Sequence, residues 1–124
     1  MLAFRYRFHG HGSLRYIYSK GRTVRNRSLQ LRYIANAKRE DSRAVVVVSK
    51  KVVKSAVKRN RIRRRLYEIL RRHWKAILAP TDLVLTVYAP EVGTVPAQEL
   101  EEQVLDLLQQ AGLYHLEPQS DKID

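Results

Sequence analysis

The hydrophobic pattern at the start of the chain is helical. Leu14, Ile17 and Tyr18 recur at helical spacing, which predicts a helix of about two turns over residues 13–19. Gly21 follows and is expected to end this helix. Residues 1–12 show no such period and mix basic with aromatic side chains, so we expect a flexible basic arm.

Two stretches with the periods of β-strands come next. Residues 29–33 alternate apolar with polar side chains, which predicts a half-buried strand. Residues 36–42 are polar and charged and are interpreted as a hairpin loop. Residues 43–49 contain four consecutive valines, and a continuous β-branched run is typical of a central strand buried on both faces.

A long amphipathic helix is predicted from near Val53 to a point before Pro80, with Ser49 or Ser55 as its N-terminal cap. Its apolar positions form one stripe at helical spacing: Ile62, Leu66, Ile69, Leu70, His73 and Ile77. Four residues project from the opposite face: Asn60, Arg64, Tyr67 and Arg71. We therefore expect one face to pack on a sheet and the other to stay accessible.

The remainder of the chain predicts one more strand and one more helix. Residues 82–88 form an apolar run that indicates a second buried strand and completes a β-α-β unit. Thr94 and Pro96 precede a helix whose C-cap is expected at Gly112. Its apolar stripe consists of Leu100, Val104, Leu107, Leu108 and Ala111. Residues 1–116 are thus predicted to form one domain, and residues 117–124 a disordered tail.

Charge is distributed very unevenly along the chain. Residues 1–75 hold 23 of the 24 Lys and Arg but three of the 12 acids, a net charge of +20, whereas residues 76–124 hold one and nine, a net charge of −8. Between Lys50 and Lys75 there is one acid, Glu68, against twelve Lys and Arg. Charge of one sign on one element destabilises a fold by self-repulsion, and a polyanion would relieve it.

These charges favour nucleic acid as the partner. A membrane-surface helix would need apolar residues free to enter lipid, but here the apolar stripe is needed to cover a sheet. The absence of cysteine and of any apolar stretch long enough to cross a membrane favours a soluble, cytoplasmic protein.

Residues that could carry catalysis are scarce. The sequence has no glycine-rich phosphate loop, no paired carboxylates and no cysteine nucleophile. His73 lies on the packing stripe and is interpreted as structural rather than as a general base. Tyr18, Tyr33 and Tyr67 could stack on unpaired bases. We expect Tyr67 to be exposed and Tyr33 to belong to the core.

A specific motif lies at the start of the basic helix. It reads Lys58-Arg59-Asn60-Arg61-Ile62-Arg63-Arg64 and is preceded by Val47-Val48-Ser49-Lys50-Lys51-Val52. This combination resembles the Arg-Asn-Arg signature of the protein subunit of bacterial ribonuclease P. Residues 13–21 resemble the first helix and glycine of that family, and residues 82–85 and 111–113 resemble its last strand and helix end. The resemblance spans roughly residues 5–114.

The resemblance implies a fold. It is an α+β fold, a two-layer α/β sandwich in the order α-β-β-β-α-β-α with a four-stranded sheet. The basic helix would pack on the sheet and join two parallel strands through a left-handed crossover, against the usual right-handed preference.

The resemblance also implies a function and a division of RNA contacts. The chain would be a subunit of the ribonuclease P holoenzyme, the endoribonuclease that removes the 5′ leader from precursor tRNA. The RNA-subunit-binding residues would be Lys50, Lys51, Lys58, Arg59, Asn60, Arg61, Arg63 and Arg64. The leader-binding residues would be Leu14, Tyr18, Gln30, Arg32 and Tyr67. Catalysis would belong to the RNA subunit, with Mg²⁺ held by that RNA and no cofactor bound by the protein alone.

The sequence differs from the family pattern at four positions. Leu14 stands in place of a phenylalanine, Arg32 in place of an aromatic residue, Val45 in place of a glycine and Tyr67 in place of an arginine. These differences concern the leader contacts more than the RNA-subunit contacts. The charge asymmetry also fits a noncatalytic ribosomal or RNA-architectural protein, whereas a protein-only nuclease would need an acidic metal cluster that the sequence lacks.

Overall fold

The computed structural model describes residues 6–7 and 11–115 of the 124-residue chain. Three helices and four strands follow in the predicted order. They are α1 (His11–Lys20), β1 (Arg22–Arg25), β2 (Leu29–Ala35), β3 (Arg43–Val48), α2 (Ala56–Arg72), β4 (Thr81–Val87) and α3 (Ala97–Gln110). The α+β class, the element order and the four-stranded sheet are therefore confirmed.

The sheet has the strand order β1-β2-β4-β3. β2 pairs antiparallel with β1 and with β4, while β3 pairs parallel with β4. The prediction that residues 36–42 form a hairpin loop is wrong, because β4 lies between β2 and β3. β3, α2 and β4 form the predicted β-α-β unit, and the left-handedness of its crossover stays a prediction.

β3 lies at the edge of the sheet and not at its centre, contrary to the prediction from its valines. Its burial alternates: Ala44, Val46 and Val48 are buried, whereas Val45 and Val47 are half-buried on the other face. The central position belongs to β4, whose first five residues are all buried. A run of valines thus fits an edge strand when each face is at least partly covered.

α2 and α3 pack on one face of the sheet and enclose the main core. The predicted stripe residues Ile62, Leu66, Ile69 and Leu70 of α2 are buried there, as are the stripe residues of α3 except the half-buried Ala111. Each buried leucine or isoleucine contributes roughly 1.5–3 kcal/mol. The two layers therefore fix the orientation of α2 and leave its basic residues on the outside.

Tyr67 belongs to this core, and the prediction of its exposure is wrong. The residue is 6% exposed, and its hydroxyl oxygen accepts a 3.1 Å hydrogen bond from the backbone N–H of Val46. Val46 lies in the edge strand β3, with its amide directed away from β4. The buried face of α2 is therefore wider than the apolar stripe, because its flank beneath β3 includes Tyr67.

α1 lies on the opposite face of the sheet, against β2. Ile17 of α1 and Val84 of β4 are fully buried, although neither belongs to the main core. At Gly21 the chain passes so close to α1 that a Cβ atom would lie 2.5 Å from the carbonyl oxygen of Ile17. Glycine is therefore required where α1 turns into β1. We call the side of the sheet that carries α1 the open face.

The described residues before α1 also contact the rest of the domain. Tyr6, in the predicted arm, packs its ring on Trp74 with 5.4 Å between ring centres, and Arg7 pairs with Ala44 of β3. His11 and Gly12 lie in α1, so the helix begins two residues before its predicted start. The rest of the predicted arm and the predicted tail, residues 117–124, lie outside the described residues.

Candidate RNA-binding surfaces

The first candidate surface is the outer face of α2 with the turn before it. We call it the basic surface. Lys50 and Lys51 lie in the turn and are exposed. On α2, Lys58, Asn60, Arg61 and Arg64 are exposed and Arg63 is half-buried. The helix begins at the cap Ser55, whose hydroxyl accepts a 3.2 Å hydrogen bond from the backbone N–H of Lys58. The cap fixes the first turn, which carries the Arg-Asn-Arg motif.

Arg59 has a different role from its neighbours. It is half-buried, and its Nη1 donates to the carbonyl oxygens of Val53 at 2.9 Å and Lys54 at 2.8 Å. Arg65 likewise donates to the carbonyl oxygens of Val92, at 2.8 Å, and Val95. Both guanidinium groups hold flanking segments against α2, so their hydrogen bonds stabilise the fold in the absence of RNA.

Asn60 and Arg63 form a pair on the basic surface. Nη1 of Arg63 donates to the Asn60 side-chain oxygen at 2.6 Å. The two N–H groups of the Asn60 side-chain amide take no part in this bond and point away from Arg63. Further along α2, hydrogen bonds, chiefly those from Arg71, hold the pKa of Glu68 well below its usual value of 4.5. The acid of this surface is thus held in its charged, paired form at neutral pH, and the surface stays strongly cationic.

The second candidate surface is the open face of the sheet beside α1. The guanidinium carbon of Arg32 lies 5.1 Å from the centre of the Tyr18 ring, and Nη1 of Arg32 donates to the Tyr18 carbonyl at 3.2 Å. Tyr18 is 46% exposed. A ring held by a cation yet open to solvent is suited to stacking on an unpaired base.

Gln30 lies on the same face as Arg32, two residues away on β2. Its side-chain oxygen accepts a hydrogen bond from the hydroxyl of Tyr88, and Arg25 lies over the Tyr88 ring. Sequence reasoning missed Tyr88 and Arg25. Side chains alternate between the two faces along β4, and continuing that alternation to residue 88 could have placed Tyr88 on this face. The four residues of β1 are too few to show such a pattern, so Arg25 could not be placed.

The remaining two predicted leader-binding residues lie on opposite faces of the sheet. Leu14 is half-buried on α1, on the same side of the sheet as Tyr18, Gln30 and Arg32. Tyr67 is buried beneath β3 in the main core, so the structure does not bring it together with the other four.

The open face ends at a buried ion pair. Asp82 accepts hydrogen bonds from Arg43, at 3.1 Å from Nε and 2.9 Å from Nη2, and from the Asn36 amide at 2.9 Å. These residues line a pocket of about 490 Å³ together with Tyr16 and Lys38. Because the Asp82 carboxylate already has three donors, it holds β2, β3 and β4 together.

His73 lies between α2 and α3. Its Nε2 bonds to the carboxylate of Glu101, and its Nδ1 lies 3.3 Å from the Tyr114 hydroxyl. These contacts agree with the structural interpretation of this histidine. In the described part of the chain, no three acidic, histidine or cysteine side chains come together as a metal site. Nor does any helix there have the length and apolar character of a membrane span.

Comparison with known proteins identifies the family. The family model described as ribonuclease P matches residues 2–112. A ribonuclease P protein component from Synechococcus sp. (strain RCC307) is 39% identical over 120 residues, which cover 88% of this chain and 94% of the relative. A ribonuclease P protein component from Chloroflexus aurantiacus is 37% identical over 108 residues, which cover 87% and 78%.

Solved structures agree with the sequence comparison. An RNase P protein of Staphylococcus aureus superimposes with a TM-score of 0.79 at 25% identity, covering 89% of this chain and 98% of that one. The RNase P protein from Thermotoga maritima gives a TM-score of 0.71 at 25% identity, covering 78% and 89%. The chain belongs to the ribonuclease P protein family.

Proposed function

We propose that this chain binds the catalytic RNA subunit of ribonuclease P through the basic surface and the 5′ leader of precursor tRNA through the open face. The protein acts in tRNA 5′ processing as the protein component of a ribonucleoprotein endoribonuclease. The observation that carries the finer assignment is the separation of the two surfaces by the sheet and its core. Two RNA segments can therefore bind at the same time, one on each surface.

The composition of each surface suits its proposed RNA. The basic surface presents lysines and arginines that are exposed and carry no ring to stack on a base, so it suits the phosphates of a folded RNA. Arg61 and Arg64 add planar donors that can bind a phosphate through two hydrogen bonds. The open face combines tyrosine rings with arginine, which suits unpaired bases.

Catalysis is proposed to belong to the RNA subunit. Magnesium ions held by that RNA would supply the activated water for hydrolysis. The residues of the basic surface do not fit a magnesium site of the protein's own, because Glu68 is the one acid between Lys50 and Lys75 and Arg71 binds both of its oxygens. This chain's side chains would instead bind and orient the two RNAs. The proposed cytoplasmic location follows from these RNA partners.

Reconstitution tests the proposal directly. The purified protein is combined with a bacterial ribonuclease P RNA at a magnesium concentration too low for the RNA alone, and 5′ cleavage of precursor tRNA is followed. We expect cleavage at the mature 5′ end to be stimulated. The matched control is the Arg61→Ala, Arg64→Ala double variant, which should fold but stimulate less. An RNA that binds the protein without any gain in cleavage would favour a purely architectural role.

A further inference from the structure

A second arginine–tyrosine stack lies on the open face, next to the stack of Arg32 on Tyr18. The guanidinium carbon of Arg25 is 4.9 Å from the centre of the Tyr88 ring, and the Tyr88 hydroxyl donates to Gln30. The backbone N–H of Tyr88 also donates to the carbonyl of Ser28 at 2.8 Å. Arg25 and Gln30 therefore hold the Tyr88 side chain and Ser28 holds its backbone, yet Tyr88 is 45% exposed.

The two stacks have the same composition and nearly the same exposure. Tyr18 is 46% exposed, and each tyrosine has one arginine over its ring. Across residues 6–7 and 11–115, neither Arg25 nor Arg32 forms an ion pair with a carboxylate. Both guanidinium groups thus keep their charge available to a phosphate. Aromatic rings beside positively charged side chains that have no acidic partner are typical of surfaces that bind single-stranded nucleic acid.

The sheet register sets the offset of the two arginines along the strand direction. Arg25 pairs with Gln30, and Thr23 pairs with Arg32, so the two arginines occupy neighbouring rows of the same face. Rows two residues apart are separated by roughly 7 Å, at about 3.4 Å per residue. This is about twice the 3.4 Å spacing of stacked nucleotides along one strand. Two arginines this far apart along the sheet can bind successive phosphates of an extended, unpaired strand.

We propose that Tyr88, positioned by Arg25 and Gln30, is a second base-stacking position for the 5′ leader, adjacent to the position at Tyr18. This inference rests on the proposed function of the open face. It makes Tyr88 a leader-binding residue that contacts a different nucleotide from Tyr18. Because every base has a flat face, this position would accept any base sequence.

The test uses holoenzyme reconstituted with a bacterial ribonuclease P RNA. Equilibrium affinities are measured for leaderless tRNA and for precursors whose leaders lengthen by one nucleotide at a time. Tyr88→Ala should lose about 5- to 150-fold in affinity, the range expected for one base stack, beginning at the leader length that reaches Tyr88. Shorter leaders and leaderless tRNA should bind normally. Tyr88→Phe should keep most of the affinity, because it keeps the ring.

Tyr16→Ala is the matched control. Tyr16 is a 59% exposed tyrosine of α1, no arginine of the described residues lies over its ring, and its removal should change none of these affinities. If Tyr88→Ala binds every leader with wild-type affinity while Tyr18→Ala loses affinity, the inference is overturned and the proposed function stands. An equal loss for leaderless tRNA would also overturn it. A wild-type holoenzyme that gains no affinity from any leader would instead overturn the proposed function.

Discussion

Replacing Tyr67 by Phe removes one buried hydroxyl and keeps the ring. In the wild type this hydroxyl accepts a 3.1 Å hydrogen bond from the amide of Val46, at a position that is 6% exposed. In the variant the amide has no acceptor and stays enclosed between β3 and α2. A buried donor left without a partner costs about 1–3 kcal/mol. No large cavity is added, because the ring keeps its packing.

Urea unfolding measures this loss. With an m-value of roughly 1.5 kcal/mol/M, the midpoint for Tyr67→Phe should fall by about 0.7–2 M. Tyr67→Ala should lose more, roughly 3–5 kcal/mol, because truncating a buried aromatic ring also leaves a cavity. Tyr16→Phe is the control. It removes the same hydroxyl from a 59% exposed residue and should leave the midpoint unchanged.

The same variants separate the core role of Tyr67 from the leader contact predicted for it. Tyr67→Phe should leave affinity for leader-bearing precursor unchanged, because the ring lies in the main core and away from the open face. An unchanged unfolding midpoint combined with weaker leader binding would refute the reasoning, since the ring would then face RNA.

Four further outcomes are expected. Arg61→Ala with Arg64→Ala should weaken RNA-subunit binding and reduce the slope of log affinity against log salt by about 1.4–1.8, and a slope equal to that of the wild type would contradict this. Tyr18→Ala and Arg32→Ala should leave assembly with the RNA subunit near normal but weaken binding of leader-bearing precursor, for Tyr18 by roughly 1–3 kcal/mol. Equal losses for mature tRNA would speak against the assignment. Glu68→Gln should be less stable than the wild type at neutral pH, as seen in unfolding curves across pH. Because the folded pKa of Glu68 is lowered to about 2 from 4.5, this difference should shrink as the pH falls below about 4.5 toward 2. Highly purified, RNA-free protein should not cleave precursor tRNA at any magnesium concentration, and specific 5′ cleavage by it would disprove the assignment of catalysis to the RNA.

Features that depend on residues close together in the sequence could be predicted from it. The buried residues of α2 follow the helical period, Ser55 caps that helix, and Gly112, one residue after the C-cap Ala111 of α3, has the positive φ of 73° that favours glycine there. The exposed motif residues such as Arg61 and Arg64 could be predicted too, because a helix whose apolar stripe is buried must turn its other face outward.

Features that depend on strand pairing could not be predicted. Four valines fit a central strand and a partly covered edge strand equally well, and only the insertion of β4 between β2 and β3 decides between them. Tyr67 is buried in the core beneath β3, where its hydroxyl accepts from the amide of Val46, a residue 21 positions earlier in the chain. The stack of Arg25 on Tyr88 joins β1 to the residue that follows β4, and β1 and β4 are not neighbours in the sheet.

The hydrogen bonds of Arg59 and Arg65 have a consequence for the thermodynamics of assembly. Arg59 holds the segment before α2, and Arg65 holds the segment that leads into α3, so the helix is fixed on both sides before any RNA is present. Ordering a backbone costs roughly 1–2 kcal/mol per residue, and here that cost belongs to folding rather than to binding. Association should therefore lack the large negative heat-capacity change of coupled folding and binding. The association rate should be governed by electrostatic attraction between the preformed basic surface and the RNA.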